Sequence, residues 1–149
     1  MAPIIIDWAC QMNEPKCLNA AEDNFSKVRT GEFTWLNVDV NFRDLSRQYG
    51  IRNGNPLNVK YFMDQLVNLN NQPYATDFLI DSLAFLPREY EETAFEIFNF
   101  FDEDDEIFND ALYKFSKQPP MRDVVIEYIT GELQQRVSEF KTYFSQNYP

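Results

Sequence analysis

Histidine is absent from this 149-residue sequence. Zinc peptidases of the H-E-x-x-H type bind their metal through two histidines, and serine or cysteine nucleophiles usually take a histidine as their base. The sequence therefore excludes both kinds of catalytic site. Glycine is also scarce, with four residues scattered singly, so there is no glycine-rich loop of the kind that binds phosphate.

Basic residues are few, since 13 lysines and arginines stand against 24 aspartates and glutamates and give a net charge of −11. A field of this sign repels phosphate groups and anionic lipids, so nucleic acid and acidic membrane surfaces are poor partners. Long hydrophobic runs are lacking as well, because the run Ile4-Ile5-Ile6 ends at Asp7. We therefore expect no signal-peptide core and no direct membrane insertion, and any targeting segment would lie outside these residues.

Apolar side chains are nevertheless abundant. Hydrophobic residues make up 44% of the sequence and include 14 phenylalanines, which is far too apolar for a disordered chain. A chain of this length is one domain by the usual prior and can bury a sizeable core. We expect a single domain over residues 1–149.

The spacing of the apolar residues predicts helix along nearly the whole chain. A first helix over residues 3–12 would be followed by one that Asn13 caps and Gly31 ends. Residues 31–40 read as an extended connector, because no equally good partner strand exists elsewhere.

The next helices are punctuated by turn residues. A short helix from Asn41 to Tyr49 would be closed by Gly50 in a left-handed C-cap, before a turn at Asn53-Gly54. The following helix would begin at Asn55-Pro56 and end in a turn at Asn70-Asn71.

Four more helices are predicted in the second half of the chain. They would begin at Pro73, at Pro87, after the acidic run 102–106, and after Pro119-Pro120. The last one carries a long apolar stripe formed by Met121, Val125, Tyr128, Ile129, Leu133, Val137, Phe140 and Phe144. Eight helices joined by short turns predict an all-α fold of stacked helical hairpins, as in HEAT or armadillo solenoids, without a strict sequence repeat.

The acidic run Asp102 to Glu106, with Asp110 beyond it, could suggest a calcium loop. It lacks the glycine at position six and the glutamate at position twelve that an EF-hand loop requires. An acid-rich N-cap and first helical turn, favoured by the helix dipole, is the better interpretation.

Three segments carry a resemblance to a known family. They are Cys10-Gln-Met-Asn-Glu-Pro15-Lys-Cys17, then Asn41-Phe42-Arg43, and finally Glu132-Leu-Gln-Gln135 ahead of Phe140-Lys141. In this order the sequence resembles the C-terminal helical domain of zinc aminopeptidases of the aminopeptidase N and endoplasmic-reticulum aminopeptidase type. The resemblance covers nearly the whole chain, although Phe42 replaces the family's usual leucine.

The resemblance implies a non-catalytic role. In that family the zinc and the peptide chemistry belong to a preceding catalytic domain, while the C-terminal domain encloses the peptide chamber and mediates domain closure. This chain would then be no enzyme by itself and hold no cofactor, and its partners would be the parent's catalytic domain or a peptide substrate. The implied location is extracellular or in the lumen of the secretory pathway.

The resemblance also assigns roles to four residues. It implies an oxidising compartment, in which Cys10 and Cys17 form a disulfide across the first helix corner; two buried free thiols in a cytosolic protein are the alternative. Asn24 begins the one N-x-[ST] sequon, which makes it a candidate N-glycosylation site. Arg43 is expected to tie helix ends or carboxylates together, or to face the peptide chamber.

The sequence departs from the family at its end, where the family's final helix is missing. The apolar stripe of the last predicted helix would then lack a packing neighbour, which predicts self-association. A different class of function fits the same residues: an independent all-α protein-interaction module unrelated to proteolysis.

Overall fold

A computed structural model describes residues 3–68 and 73–147, and this part of the chain is all-α with no strand. Eight α-helices are present in these ranges, which confirms the all-α class and the number of helices expected from the sequence. They are α1 (Pro3–Gln11), α2 (Pro15–Arg29), α3 (Val40–Arg52), α4 (Pro56–Val67), α5 (Pro73–Leu83), α6 (Glu91–Phe100), α7 (Asp105–Lys117) and α8 (Pro119–Asn147). Short 3-10 turns at Trp35–Asn37 and Arg88–Tyr90 precede α3 and α6.

The helices form two compact units, Met1–Glu89 and Tyr90–Pro149. In the first unit α3 packs on α1, α2 and α5, and α4 packs on α2, α3 and α5. In the second unit α6, α7 and α8 all pack on one another. The single domain expected over residues 1–149 stays a prediction.

Side-chain caps explain where several helices begin. The Asp39 carboxylate accepts a hydrogen bond from the backbone N–H of Asn41, and Asn55 Oδ1 accepts one from Leu57. Asp104 caps α7 through the backbone N–H of Ile107, as the acidic run predicted. Such caps satisfy backbone donors that have no partner within the helix.

Three of the local predictions are wrong, and the first two concern the start of α2 and the connector over residues 31–40. Glu14, and not Asn13, caps α2. Pro15 takes the first helical position, so Glu14 directly precedes the helix, and its carboxylate accepts a hydrogen bond from the backbone N–H of Cys17 at 2.9 Å. Residues 31–40 are not simply extended, since a 3-10 turn forms within them and Asn37 Oδ1 accepts from the Thr34 N–H at 2.8 Å. The predicted turn at Asn70-Asn71 lies outside the described residues.

Gly50 does not end a helix. Helix α3 continues to Arg52, and of the two glycines near its end it is Gly54 that has a positive φ, at +78°. A Cβ atom at Gly50 would lie 3.0 Å from Cγ of Phe25 and closer still to Cδ2 of that ring. Glycine at this position therefore allows α2 and α3 to pack closely. The local sequence does not distinguish a glycine needed for close packing from one that ends a helix.

An aromatic cluster surrounds this contact in the first unit. The fully buried Phe25 ring lies 5.3 Å from the Trp35 ring and 5.0 Å from the Phe62 ring, measured between centroids. Phe62 is in turn 6.0 Å from Phe78 on α5. Edge-on and tilted contacts at these distances add to the stabilisation that burial alone provides.

A smaller cluster forms the core of the second unit. The rings of Phe98 on α6 and Phe115 on α7 lie 5.0 Å apart, and Tyr128 on α8 lies 5.0 Å from Phe98. The three helices of the unit thus meet around three aromatic rings.

Gly50→Ala is expected to destabilise the first unit. Overpacking a buried site costs about 1–3 kcal/mol, and the gain in helix propensity offsets about 1 kcal/mol of that. Because Phe25 is fully buried, we expect a net loss of about 2 kcal/mol. Both tryptophans, Trp8 and Trp35, lie in the first unit, so urea unfolding followed by tryptophan fluorescence measures it.

Gly131→Ala in α8 is the matched control, because nothing lies within 4 Å of a Cβ at that position. It should leave the fluorescence midpoint unchanged and should not lower the helical circular dichroism signal. A Gly50→Ala midpoint equal to or above that of the unsubstituted chain would contradict the packing role.

Candidate functional site on the last helix

The disulfide is present as expected. Cys10 in the last turn of α1 is bonded to Cys17 in the first turn of α2, with their Cα atoms 5.2 Å apart. The alternative of two free thiols is thereby set aside. Closing so short a loop stabilises the folded chain by roughly 2–3 kcal/mol in the chain-entropy model.

Asn24 lies in the interior of α2 and is half-buried. Its amide Nδ2 donates a hydrogen bond to Oγ of the buried Ser46, at 3.2 Å. Attachment of a glycan at Nδ2 would require this amide to leave Ser46. Glycosylation at Asn24 stays a prediction.

Arg43 binds the end of the 3-10 turn. Its Nε donates to the carbonyl oxygen of Trp35 at 2.8 Å, and its Nη2 donates to those of Leu36 and Val38 at 3.4 and 3.2 Å. The Trp35 carbonyl also accepts from the backbone N–H of Val38 at 3.3 Å, so the guanidinium adds hydrogen bonds at the end of the 3-10 turn and holds the turn against α3. This placement is structural, and a chamber-facing role stays a prediction.

Sequence reasoning missed a polar network around Glu22. The carboxylate accepts hydrogen bonds from the side-chain amides of Asn53, Asn55 and Asn58, at 2.6, 2.7 and 2.8 Å. Asn58 is fully buried, and its Oδ1 accepts from Arg29 Nε at 3.0 Å. The network ties α2 to the α3–α4 turn and to the start of α4. Its sequence signal was the cluster of asparagines at 53, 55 and 58.

Arg47 was also missed. Its side chain is almost fully buried between α3 and α5, where Nη1 donates to Ser82 Oγ at 2.7 Å and Nη2 binds Asp44. The guanidinium also lies 4.2 Å from the centroid of the Phe78 ring, a cation–π contact. Nη1 joins α3 to α5 and Nη2 binds within α3, while the buried Nε has no hydrogen-bond partner among the described residues. These contacts lie within the first unit and indicate a packing role.

Helix α8 is anchored only at its beginning. Met121, Val124, Val125 and Tyr128 are buried, and the Tyr128 hydroxyl donates to Asn99 Oδ1 at 2.7 Å. Burial raises the pKa of Tyr128 above its ordinary value; the carboxylates of Glu132 and Asp102 raise it further, and Arg136 lowers it. The neutral phenol therefore contributes stability that is complete below a pH of about 10 and is lost as the pH rises through the raised pKa.

The rest of α8 exposes a continuous apolar surface. Every residue from Leu133 to Asn147 is exposed. We define the α8 stripe as the large exposed hydrophobic residues Ile126, Ile129, Leu133, Val137, Phe140 and Phe144. Successive members lie 3, 4, 4, 3 and 4 residues apart, which matches the period of an α-helix, and the stripe is about 27 Å long.

The stripe predicted from the sequence is in fact two surfaces. Met121, Val125 and Tyr128 lie about 80–140° around the helix from Leu133 and face the core of their own unit. A cleft of about 370 Å³ runs between them and the exposed surface, with Phe108 and Leu112 of α7 among its lining residues.

Within residues 3–68 and 73–147, no group of three or more acidic or cysteine side chains is arranged to hold a metal ion. Over the same described ranges, none of the helices is long and apolar enough to cross a membrane. Comparisons with family models, with curated proteins and with solved structures found no match for this chain. The α8 stripe is therefore the candidate site on the strength of its own geometry.

Glu22→Gln is expected to lower the free energy of unfolding of the first unit by about 1–3 kcal/mol, because an amide would then face amide donors without partners. Asp23→Asn is the matched control, since it removes the same charge from the next residue. Asp23 makes an exposed pair with Lys27 at 3.1 Å, and its loss should cost at most about 0.5 kcal/mol. Equal effects of the two substitutions on tryptophan-monitored urea unfolding would mean that the network contributes nothing beyond charge.

Proposed function

We propose that this chain is a non-catalytic helical interaction protein, and that the α8 stripe is the surface by which it docks on another polypeptide. The observation that carries the proposal is the exposure of the stripe: Phe140 is 63% exposed and Leu133 is 57% exposed. Monomeric proteins rarely leave a contiguous apolar patch of this length open to water, and such patches mark interaction sites.

The stability of the helix itself supports a covering partner. Isolated helices of about 12–15 residues are marginal in water, and most helical stability in proteins comes from packing of an apolar face. The segment 133–147 has no buried side chain, and Gly131 just before it costs about 1 kcal/mol relative to alanine. A partner on the stripe would supply the packing that this segment lacks.

The chemistry of the stripe suits protein recognition. Phe140 and Phe144 lie on adjacent turns with ring centroids 5.9 Å apart, forming one broad aromatic surface. Large aromatic side chains dominate the energetics of protein interfaces. Helices that present anchors at such spacings dock in apolar grooves or against other helices.

The HEAT-like stacking of hairpins belongs to the same proposal. Consecutive helices pack on each other from α1 to α5 in the first unit and from α6 to α8 in the second, which supports stacked hairpins within each unit. In a stacked array, a helix whose apolar outer face is uncovered is a surface on which a further element docks.

A second candidate is the C-terminal domain of a zinc aminopeptidase, with the α8 stripe docking on the parent's catalytic domain. The disulfide that closes the first helix corner favours it, because the resemblance implied that bond. Disulfides of this kind are compatible with a secreted or lumenal protein. In this case too the chain would contribute enclosure and docking, and the zinc would belong to the other domain.

Photo-crosslinking in cells that express the intact chain tests the proposal. Benzoylphenylalanine, a photo-activated analogue of phenylalanine, would replace Phe140 in one variant and Tyr113 on α7 in the control, which is similarly exposed at 58%. We expect discrete covalent protein adducts from position 140 and none from position 113. An adduct with a zinc peptidase domain would favour the second candidate, whereas no adduct at 140, or equal adducts at both positions, would contradict a docking surface.

A further inference from the structure

We propose that the partner on the α8 stripe is the α8 stripe of a second copy of this chain, and that the two helices run antiparallel. This inference rests on the proposed docking function and identifies the partner that covers the stripe. It is carried by the symmetry of the stripe and by the charges at its edges.

The stripe has nearly the same pattern when read in either direction. Ile126 and Phe144 each lie nine residues from Gln135, and Leu133 and Val137 each lie two residues from it. The remaining pair, Ile129 and Phe140, lies six and five residues away. A two-fold axis beside Gln135 would therefore place apolar residues of one copy opposite apolar residues of the other, which is the self-complementarity that a symmetric dimer requires.

Charged residues lie along both edges of the stripe. At 100° per residue, Glu127 and Lys141 fall on one edge, about 120° and 80° from Leu133. Glu132 and Arg136 fall on the other edge, about 100° and 60° away. Each edge thus holds an acid followed by a base, and the second edge also carries Glu139, one heptad after Glu132.

An antiparallel pair brings these opposite charges together. In that arrangement each edge of the stripe faces the same edge of the other copy, with the order of residues reversed. Glu132 and Arg136 lie three residues and one residue from Gln135 on opposite sides, so Glu132 and the partner's Arg136 are about 3 Å from direct opposition, within reach of their long side chains. On the other edge, Glu127 meets the partner's Lys141, and charge complementarity of this kind fixes the orientation of coiled-coil helices.

A parallel pair would bring like charges together. Opposite edges then face each other, and edge residues five positions apart are neighbours across the interface. Arg136 precedes Lys141 by five residues and lies on the other edge. Arg136 of each copy would then face Lys141 of the other, which disfavours this orientation.

The surroundings of Glu132 add to the preference. The cleft beside the stripe has Phe108 and Leu112 on its wall and the carboxylates of Asp102 and Glu103 at its rim. In the antiparallel register the partner's Tyr143 passes along this apolar wall, and the partner's Arg136 meets a cluster of acids. Glu139 follows Glu132 by one heptad on the same edge, and its carboxylate accepts a hydrogen bond at 3.2 Å from Gln135, which lies on the face opposite Leu133.

Charge reversal in the intact chain tests the inference by sedimentation velocity over a wide range of concentration. Glu132→Arg and Arg136→Glu should each weaken self-association about tenfold or more, because each places like charges across the interface twice. An equimolar mixture of the two single variants should associate as the unsubstituted chain does, and so should the double variant. Rescue on mixing cannot come from an effect within one chain.

Glu96→Arg is the control, because it makes the same charge change at an exposed position on α6, outside the stripe, and it should not weaken association. A strict monomer at every concentration, or single variants that associate normally, would overturn the inference. Stronger association of Glu132→Arg would also overturn it, since the antiparallel register places two cations together in that variant. A monomeric chain whose position 140 still crosslinks to a different protein would contradict the second copy as partner but support the docking surface. A monomeric chain without any crosslink from position 140 would contradict both proposals.

Discussion

The ring of Phe25 lies against the bare backbone of Gly50, and the first unit is arranged around this contact. On its apolar side the ring joins Trp35 and Phe62 in a buried cluster. On its polar side the Gly50 carbonyl accepts a hydrogen bond from the buried Asn58, whose amide also reaches Glu22. A side chain at Gly50 would displace α2 from α3 and disturb both the aromatic cluster and the carboxylate network, so the close approach of two helices determines the rest of the unit.

The features that sequence reasoning predicted are those encoded over a few neighbouring residues. Helical periodicity, the cap at Asp104 and the proline that starts α4 are signals of this kind, and they produced the all-α class and most element positions. The disulfide was also predicted, because the two cysteines flank a helix corner and the resemblance implied an oxidising compartment. The predicted helix ends were less accurate. Asn13 and Glu14 are both plausible caps for α2, and Glu14 is the cap because the helix begins at Pro15.

The features that were missed depend on residues far apart in the chain. Glu22 and Asn58 are 36 positions apart, and neither residue alone indicates a buried network. Gly50 has the local signature of a C-cap, and only the Phe25 ring on another helix shows why glycine is needed there. The apolar positions of α8 were predicted correctly, but periodicity does not reveal which of them pack against another helix. The buried face at Tyr128 and the exposed stripe were therefore predicted as one surface.

Helix α8 shows the same limit of sequence reasoning at the proposed docking surface. Its first turns are buried in the core of the second unit, whereas the apolar residues from Leu133 onward are exposed. Amide hydrogen exchange of residues 129–147 in the intact chain, measured at low and at high protein concentration, tests the account most directly. If a second copy covers the stripe, these amides should exchange fast in dilute solution and become protected as concentration rises, while those of α7 stay unchanged. Exchange that is the same at both concentrations would contradict the account.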